Sequence, residues 1–316
     1  MSQIKKVLVV DEMHESLIEM LNSIGYLADY QPLITRNQIL ETLVNYDGLI
    51  IRSKTKLDKS LFDAGPNLRF VARAGAGMEE IDIAAAKAKK IALLNAPEGN
   101  RDAVGEHVVG MLLCLFNHLK QADSQIRAGI WNREANRGVE LKGKTVGLIG
   151  YGNNGQATAQ KLAGFGCKVI AYDKYKSNFS DLFVEEVDMS SIFENADILS
   201  LHIPLTEETK MMIDENFIRR FKKPFYLVNV SRGAIASLSS IYECMKKGLI
   251  MGVCLDVLEN EKLATLNSFQ LAAFEGLKSF ENVLFSPHVA GWTNESYIRI
   301  NEVLVEKIRN LDLSFN

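Results

Sequence analysis

A glycine-rich turn in the middle of the chain constrains the fold more than any other feature of this sequence. The segment Gly150-Tyr151-Gly152-Asn153-Asn154-Gly155 follows the apolar run Thr145–Ile149 and leads into a helical pattern. In such a strand–turn–helix unit, the three glycines permit the tight turn, the approach of a pyrophosphate and close helix packing. The helix N-terminus adds N–H groups and a partial positive charge for phosphates. A βα turn without ligand is the alternative, but the strand, the helix and a following acidic residue together favour a dinucleotide site.

That acidic residue narrows the choice of nucleotide. Asp173 follows the apolar run Lys168–Tyr172 and lies 18 positions after Gly155. A carboxylate at this place accepts hydrogen bonds from the adenosine ribose and repels a 2′-phosphate. We therefore predict NAD rather than NADP as the cofactor, a preference that the neighbouring Lys174 weakens slightly.

Two series of alternating strands and helices predict an α/β chain with parallel sheets. Because the glycine turn lies mid-chain, we expect the first ~100 residues to form a separate domain that holds the substrate. The last helical pattern could return to that domain, which the pattern alone leaves open. The predicted strands are 7–10, 49–51, 70–72, 91–94, 145–149, 168–172, 198–201, 225–230, 251–255 and 283–285, and the clearest predicted helices are 17–24, 103–120, 156–165 and 295–308.

Composition excludes several classes of protein. A chain of 316 residues suits two domains, and its 36 basic against 39 acidic residues make a nucleic-acid-binding face unexpected. The scattered cysteines predict buried thiols in a reducing compartment and no metal site. No apolar run approaches the ~20 residues of a membrane span, and residues 1–6 do not introduce a signal peptide. We therefore expect a cytoplasmic enzyme.

Three strand ends in the second series carry residues suited to catalysis. Arg232 follows one strand, and an arginine there can bind a carboxylate through two parallel hydrogen bonds, although alone it could be an ordinary surface residue. Glu261 and His288 follow two others. Histidine suits proton transfer near neutral pH, and a nearby carboxylate holds its ring, whereas a histidine taken alone is more often part of a core. Ketone reduction needs a proton together with the hydride, so these three residues form a sufficient set. We assign no proton transfer to the other histidines, His14, His107, His118 and His202.

In this order, the motifs resemble the D-isomer-specific 2-hydroxyacid dehydrogenase family. The resemblance runs from Arg52-Ser53-Lys54-Thr55-Lys56 through Gly75-Ala76-Gly77, the glycine turn and Ser231-Arg232-Gly233 to the acidic stretch 256–261 and Pro287-His288. It implies two Rossmann-like domains with the active site in the cleft between them, and a first domain completed by the C-terminal helix. We accordingly predict a substrate domain of residues 1–98 and 287–316, with the NAD-binding domain 99–286 inserted in it.

The resemblance also implies the role of each residue. Arg232 would bind the substrate carboxylate, Glu261 would pair with the catalytic histidine, and His288 would donate and accept the proton. The implied substrate-binding residues are Arg52, Ser53, Ala76, Gly77, Arg232 and His288. The implied cofactor-binding residues are Gly150, Gly152, Asn153, Asn154, Gly155, Asp173, His202, Pro204, Thr206, Val230, Ser231, Arg232, Asp256, His288, Ala290 and Gly291.

The basic loop at Arg52 bears on the substrate. Arg-Ser-x-Thr-Lys resembles the 3-phosphoglycerate dehydrogenase branch, in which basic residues at this position meet the substrate phosphate. We predict oxidation of D-3-phosphoglycerate to 3-phosphohydroxypyruvate; a solvated basic loop is the alternative for Arg52 and Lys54. Reduction of glyoxylate, hydroxypyruvate or another 2-oxo acid is the alternative reaction. Glu79 and Glu80 depart from the family pattern beside the anion-binding loop and leave the substrate open.

Other activities fit the sequence less well. Formate oxidation is disfavoured because that branch has a glutamine where this chain has Glu261. An NAD(H)-sensing protein without turnover, like the family's corepressors, has no need of Glu261 and His288 together. The end of the chain at Asn316 predicts no appended regulatory domain. The apolar helix 103–120 and Trp131 predict a homodimer face within residues 103–141.

Overall fold

The computed structural model describes residues 5–314 of the chain. The chain forms two compact units: unit 1 is Met1–Asn100 with Trp292–Asn316, and unit 2 is Arg101–Gly291. The predicted domain boundaries, after residues 98 and 286, fall two and five residues before these divisions. Both units carry parallel sheets, and unit 2 interrupts unit 1 along the chain, so the predicted fold class is confirmed.

In its described residues, unit 1 contains a parallel sheet with the strand order β2-β1-β3-β4-β5. The sequence analysis missed β2 (Tyr26–Tyr30), an edge strand with only a mixed burial pattern. As a result, Arg52 follows the third strand of the chain and not the second. The other strands are β1 (Lys5–Val9), β3 (Gly48–Ile51), β4 (Phe70–Arg73) and β5 (Ala92–Asn95), and the helices between them are α1 (Ser16–Ser23), α2 (Arg36–Thr42), α3 (Lys59–Ala64) and α4 (Ile83–Ala88).

The last helix, α12 (Asn294–Ser314), completes unit 1. Its buried Leu304 and Ile308 share an apolar core with residues of the sheet such as Phe70. Each fully buried side chain of this kind stabilises the fold by about 1.5–3 kcal/mol. Lys307 Nζ adds polar contacts, donating to the carbonyl oxygen of Asn95 at 2.9 Å and to the carboxylate of Glu98 at 2.8 Å. The C-terminal helix therefore returns to the first unit.

Across its described residues, unit 2 contains a parallel sheet with the strand order β12-β11-β10-β9-β6-β7-β8. The chain reverses its direction of winding at β6, which pairs with β7 on one side and β9 on the other. Ligands of such sheets bind at the carboxyl ends of the strands beside this switch point. The strands are β6 (Thr145–Ile149), β7 (Lys168–Tyr172), β8 (Glu185–Glu186), β9 (Ile198–Leu201), β10 (Phe225–Asn229), β11 (Ile250–Leu255) and β12 (Val283–Phe285). The helices are α5 (Pro97–Phe116), α6 (Leu119–Arg127), α7 (Asn153–Leu162), α8 (Met189–Asn195), α9 (Glu215–Ile218), α10 (Leu238–Lys246) and α11 (Ser268–Lys278).

The helix predicted over 103–120 differs from the structure at both ends. It begins earlier, at Pro97, and ends at Phe116. His118 adopts a left-handed conformation with φ +50°, which interrupts the helix before α6 begins at Leu119. The polar segment that follows therefore contains a helix that the sequence analysis did not predict.

Two expectations from composition can be compared with the structure. Cys244 and Cys254 are buried, but Cys114 and Cys167 are only partly buried, so the prediction of four buried thiols was wrong for two of them. Within residues 5–314, the structure contains no helix with the length and apolar character that crossing a membrane requires.

Candidate active site

The glycine turn lies between β6 and α7, and two of its glycines are required by the packing of the chain. Gly150 has φ +93°, and a Cβ there would collide with the carbonyl oxygen of His202. A Cβ at Gly155 would collide with the carbonyl oxygen of Gly150. Gly152 is different, because nothing lies within 4 Å of the Cβ position. The space left open at Gly152 is the space that a pyrophosphate would occupy.

The first turn of α7 has the features of a phosphate-binding helix end. Gly152 is its N-cap residue and supplies no side-chain cap, and Asn153 opens the helix. Asn154 follows, and its buried Oδ1 has no hydrogen-bond partner in the described structure. Orphaned polar atoms of this kind are rare in folded proteins. Together with the open position at Gly152, the residues present fit a dinucleotide.

Asp173 stands directly after β7 and is held by backbone groups. Its carboxylate accepts hydrogen bonds from the N–H of Tyr151 at 2.8 Å and of Tyr175 at 2.9 Å. The adjacent Lys174 forms an ion pair with Glu208, which raises the pKa of the lysine. Because Glu208 balances the charge of Lys174, the lysine does less to attract a 2′-phosphate than its position in the sequence suggests.

The loop after β9 contributes His202 to the wall of the glycine turn. Its Nε2 lies 2.9 Å from Ser200 Oγ, and its Nδ1 is buried without a partner in the described structure. Burial lowers the pKa of His202 to about 3, so the ring is neutral at physiological pH. Further along, Thr209 Oγ1 donates to the carbonyl oxygen of Pro204 at 2.7 Å and accepts from the N–H of Thr206 at 2.8 Å. This turn fixes the backbone beside the cofactor-binding strand ends.

The end of β10 places Arg232 next to the loop after β11. Val230 is buried in the core, and Ser231 Oγ donates to the carbonyl oxygen of Leu201 at 2.6 Å, so both side chains have structural contacts. The guanidinium of the half-buried Arg232 donates to the carbonyl oxygen of Ser231 at 2.7 Å. A Cβ at Gly233 would collide with the carbonyl group of Leu258. Glycine is therefore required after Arg232, because the two loops touch through their backbones.

Glu261 and His288 form a pair in the structure. His288 Nδ1 lies 2.9 Å from Glu261 Oε1 and 3.1 Å from Oε2. Because the carboxylate can only accept, Nδ1 carries a proton, and Nε2 remains for exchange with a substrate. Both side chains are nearly half exposed. Glu259 has another task, since its carboxylate accepts from the N–H of Leu238 at 3.2 Å at the start of α10.

Asp256 holds the segment that carries His288. Its carbonyl oxygen accepts the N–H of His288 at 2.7 Å, and its carboxylate accepts those of Val289 and Ala290, each at 2.9 Å. Burial raises the pKa of Asp256, but hydrogen bonds, including those of the two backbone groups, outweigh it and leave the pKa below its usual value. His288 itself has φ +55°, a conformation uncommon for histidine, and these bonds stabilise it.

The predicted substrate residues of unit 1 follow neighbouring strands. Arg52 and the exposed Ser53 come after β3, and Ala76 and Gly77 come in the loop after β4. The carbonyl oxygen of Ala76 accepts from Asn95 Nδ2 at 2.7 Å. Because β3 and β4 are paired and parallel, both loops lie at the same edge of the sheet. The exposed Glu79 and Glu80 follow at the end of the second loop.

The side chain of Arg52 is half-buried, although Ser53 and Lys54 beside it are exposed. Its guanidinium carbon lies 3.7 Å from the centre of the Trp292 ring and 5.9 Å from that of Tyr297. Burial lowers the pKa of Arg52, while the charges of Asp11 and other neighbours oppose that effect. The ammonium of Lys54 donates a hydrogen bond to the backbone carbonyl oxygen of Pro32 at 2.7 Å. Arg52 and Lys54 therefore differ in surroundings.

Sequence reasoning assigned no role to His107, which the structure places beside Asp256. Its Nε2 lies 3.0 Å from Ser286 Oγ. This contact could not be predicted from the residues near His107 in the sequence, because Ser286 follows 179 positions later. Across the described residues, no group of three or more His, Cys, Asp or Glu side chains is placed to hold a metal ion.

Comparisons with known proteins agree on one family. The sequence model of the NAD binding domain of D-isomer specific 2-hydroxyacid dehydrogenases matches residues 109–290, which confirms NAD as the cofactor. A hydroxypyruvate reductase of Thermotoga maritima is 37% identical over 87% of this chain and 88% of its own length. A D-3-phosphoglycerate dehydrogenase of Archaeoglobus fulgidus is 31% identical over 97% of this chain, which spans 57% of that relative. The solved structure of a D-2-hydroxyisocaproate dehydrogenase superposes with a TM-score of 0.84 at 24% identity, covering 99% of this chain and 98% of the other, and supports the fold.

Proposed function

Because the chain belongs to the D-isomer specific 2-hydroxyacid dehydrogenase family, we propose that Arg232, Glu261 and His288 interconvert a D-2-hydroxy acid and its 2-oxo acid. The coarser activity, that of an NAD-dependent D-2-hydroxyacid dehydrogenase, follows from membership of the family. NAD, when bound, accepts or returns the hydride. The single observation that carries the catalytic assignment is the 2.9 Å contact between His288 Nδ1 and Glu261.

The proton is handled by His288. In the oxidation direction its Nε2 takes the proton of the substrate hydroxyl, and the imidazolium that results is stabilised by the carboxylate of Glu261. In the reduction direction the same nitrogen returns a proton to the carbonyl oxygen. Arg232 binds the substrate carboxylate through its planar guanidinium, which orients the substrate and polarises the reacting carbon.

We propose D-3-phosphoglycerate as the substrate, with Arg52 as the residue that binds the phosphate. The stacking of Arg52 on Trp292 supports this, because a guanidinium held by its face keeps its N–H edge for an anion. Several relatives of this chain, including that of Archaeoglobus fulgidus, are D-3-phosphoglycerate dehydrogenases.

A second candidate is reduction of hydroxypyruvate or glyoxylate. Two observations favour it: the ammonium of Lys54 is bound to the carbonyl oxygen of Pro32, and the carboxylate of Asp11 accepts the N–H of Arg52 at 2.6 Å. An acidic neighbour, and a lysine already bound to a backbone carbonyl, make a poor site for a phosphate dianion. The hydroxypyruvate reductase of Thermotoga maritima is a further reason to test this substrate.

A panel of acids separates these possibilities. The purified protein is assayed with NADH against 3-phosphohydroxypyruvate, hydroxypyruvate, glyoxylate and pyruvate, and with NAD against D-3-phosphoglycerate. We expect the phosphorylated pair to give the highest kcat/KM. A higher value for hydroxypyruvate or glyoxylate would replace the first candidate with the second. Tight NADH binding without turnover on any acid would favour a sensing protein and contradict the catalytic assignment.

We also propose a homodimer and a cytoplasmic location. Helix α6 and the segment after it expose the apolar side chains of Leu119, Ile126, Ile130 and Trp131, a patch that a second copy of the chain would cover. Sedimentation of the purified protein tests this, and a monomer at micromolar concentration would contradict it.

The four free cysteines are consistent with a reducing compartment, and fractionation of cells tests the location.

A further inference from the structure

His107 lies beside the two residues that support the His288 segment. It lies in the part of α5 that belongs to unit 2, and its side chain is 25% exposed. Its Nε2 lies 3.0 Å from Ser286 Oγ and 3.5 Å from Asp256 Oδ1. Ser286 precedes His288 by two residues, so one side chain of α5 reaches the start of the catalytic segment.

The hydrogen bonds of Ser286 determine where the proton of His107 lies. The Ser286 hydroxyl has one proton, and it donates this proton to Asp256 Oδ1 at 2.6 Å. The contact of Ser286 Oγ with Met111 Sδ, at 3.9 Å, is too weak to compete. Ser286 Oγ must therefore accept a hydrogen bond from His107, which means that Nε2 of His107 carries a proton.

The direction of the hydrogen bond from His107 to Ser286 excludes a hydrolytic triad. In such a triad the histidine accepts the proton of the serine, and an acid holds the other side of the ring. Here His107 donates to Ser286, and the proton of Ser286 goes directly to Asp256. The three side chains are arranged to support a carboxylate and not to activate a nucleophile.

The carboxylate that they support is buried and holds the backbone that follows His288. The side chain of Asp256 is 0% exposed, and a buried charge is costly unless donors surround it. Two of those donors are the N–H groups of Val289 and Ala290, and the third is the hydroxyl of Ser286, to which His107 in turn donates. If a donor on the α5 side is lost, Asp256 shifts or loses bonds to the His288 segment.

We propose that His107 is a positioning residue for His288, acting through Ser286 and Asp256. The inference rests on the proposed catalytic role of His288. His107 Nε2 lies 3.5 Å from the carboxylate of Asp256. That carboxylate accepts the N–H groups of Val289 and Ala290, and the backbone carbonyl of Asp256 accepts the N–H of His288. A displacement of His288 by a fraction of an ångström reduces proton transfer without removing any reacting group.

Two substitutions at the same position test the proposal. Glutamine keeps an N–H donor at about the reach of Nε2, whereas asparagine stops short of Ser286. We expect His107→Asn to lower kcat roughly tenfold with little change in KM, since positioning of the acid–base residue acts on the chemical step. His107→Gln should restore most of kcat. The control is His118→Asn, the same change at a histidine outside the site, where asparagine tolerates the left-handed backbone.

A measurement without substrate separates this inference from the proposed function. Hydrogen–deuterium exchange of the amides of 288–290 should be faster in His107→Asn than in wild type, and equally fast in Ser286→Ala. If the amides exchange at the wild-type rate, the inference is wrong even if the enzyme turns over. If wild type turns over no acid but the amides respond, the proposed function fails and the structural link stands. Should His107→Asn fail to fold, Ser286→Ala carries the same test, with unchanged exchange again the contradicting result.

Discussion

The N–H of Tyr151 donates to the carboxylate of Asp173 at 2.8 Å, which ties the second residue of the glycine turn to the end of the neighbouring strand. The carboxylate proposed to bind the adenosine ribose is thus also part of the scaffold of the glycine turn. We therefore expect cofactor selection and turn geometry to depend on the same side chain.

A substitution that removes the charge of Asp173 tests its role in selecting NAD. Asp173→Asn keeps one oxygen that can accept from Tyr151 but replaces the other, which accepts from the N–H of Tyr175. We expect the affinity for NADH to fall roughly tenfold or more, in line with the loss of a hydrogen bond to a charged group, and that for NADPH to change less. Fluorescence titration with both cofactors measures this, with Asp214→Asn, a helix-capping change far along the chain, as the control. Equal losses for both cofactors would contradict the assignment.

The proton-transfer role of His288 can be tested without disturbing the backbone. Asparagine adopts the left-handed conformation more readily than most residues, so His288→Asn suits the observed φ of +55°. We expect kcat to fall roughly 100-fold or more, the usual contribution of acid–base catalysis, while the dissociation constant of NADH stays nearly unchanged. Stopped-flow and steady-state assays measure the two quantities. Wild-type turnover in the variant would remove His288 from the mechanism.

The stacked Arg52 leads to a prediction about specificity. Arg52→Ala should raise the KM for D-3-phosphoglycerate roughly tenfold more than that for an unphosphorylated D-2-hydroxy acid, because a charged hydrogen bond to phosphate is lost. Trp292→Leu should act in the same direction by a few-fold, the usual scale of a cation–π contact. Lys54→Ala is the matched control, since its ammonium is bound to Pro32. Equal effects of Arg52→Ala on both acids would disprove a phosphate site.

Replacing two glycines by alanine should change the free energy of unfolding in opposite directions. Gly233→Ala forces a methyl group against the backbone of Leu258 and should cost about 1–3 kcal/mol or more, since a carbonyl cannot move aside as a side chain can. Gly110→Ala, within α5 and with nothing within 4 Å of the added Cβ, should stabilise the fold by about 0.5–1 kcal/mol. Urea unfolding of both variants measures the difference. A loss of stability in Gly110→Ala, or none in Gly233→Ala, would contradict the packing described above.

The features of the fold that could be predicted from the sequence are those that depend on near neighbours or on motif order. Gly150, Gly155 and Asp173 belong to one strand–turn–helix–strand unit, so their spacing carries the information. His107 was missed because its partner Ser286 is distant in the chain, and only the packing of α5 on the strand ends brings them together. The stacking of Arg52 on Trp292 was missed for the same reason. The strand β2 was missed because an edge strand needs no continuous apolar run.

His288, the proposed catalytic residue, follows β12, a strand of three residues that pairs with β11 at the edge of its sheet. Edges of sheets open more readily than their centres, and local opening precedes global unfolding. The hydrogen bonds of Asp256 join the segment after β12 to the end of β11 and thereby stabilise this edge of the sheet. Mild denaturant should therefore abolish turnover while the interior strands remain folded, which makes enzymatic activity an early and sensitive gauge of fraying in this protein.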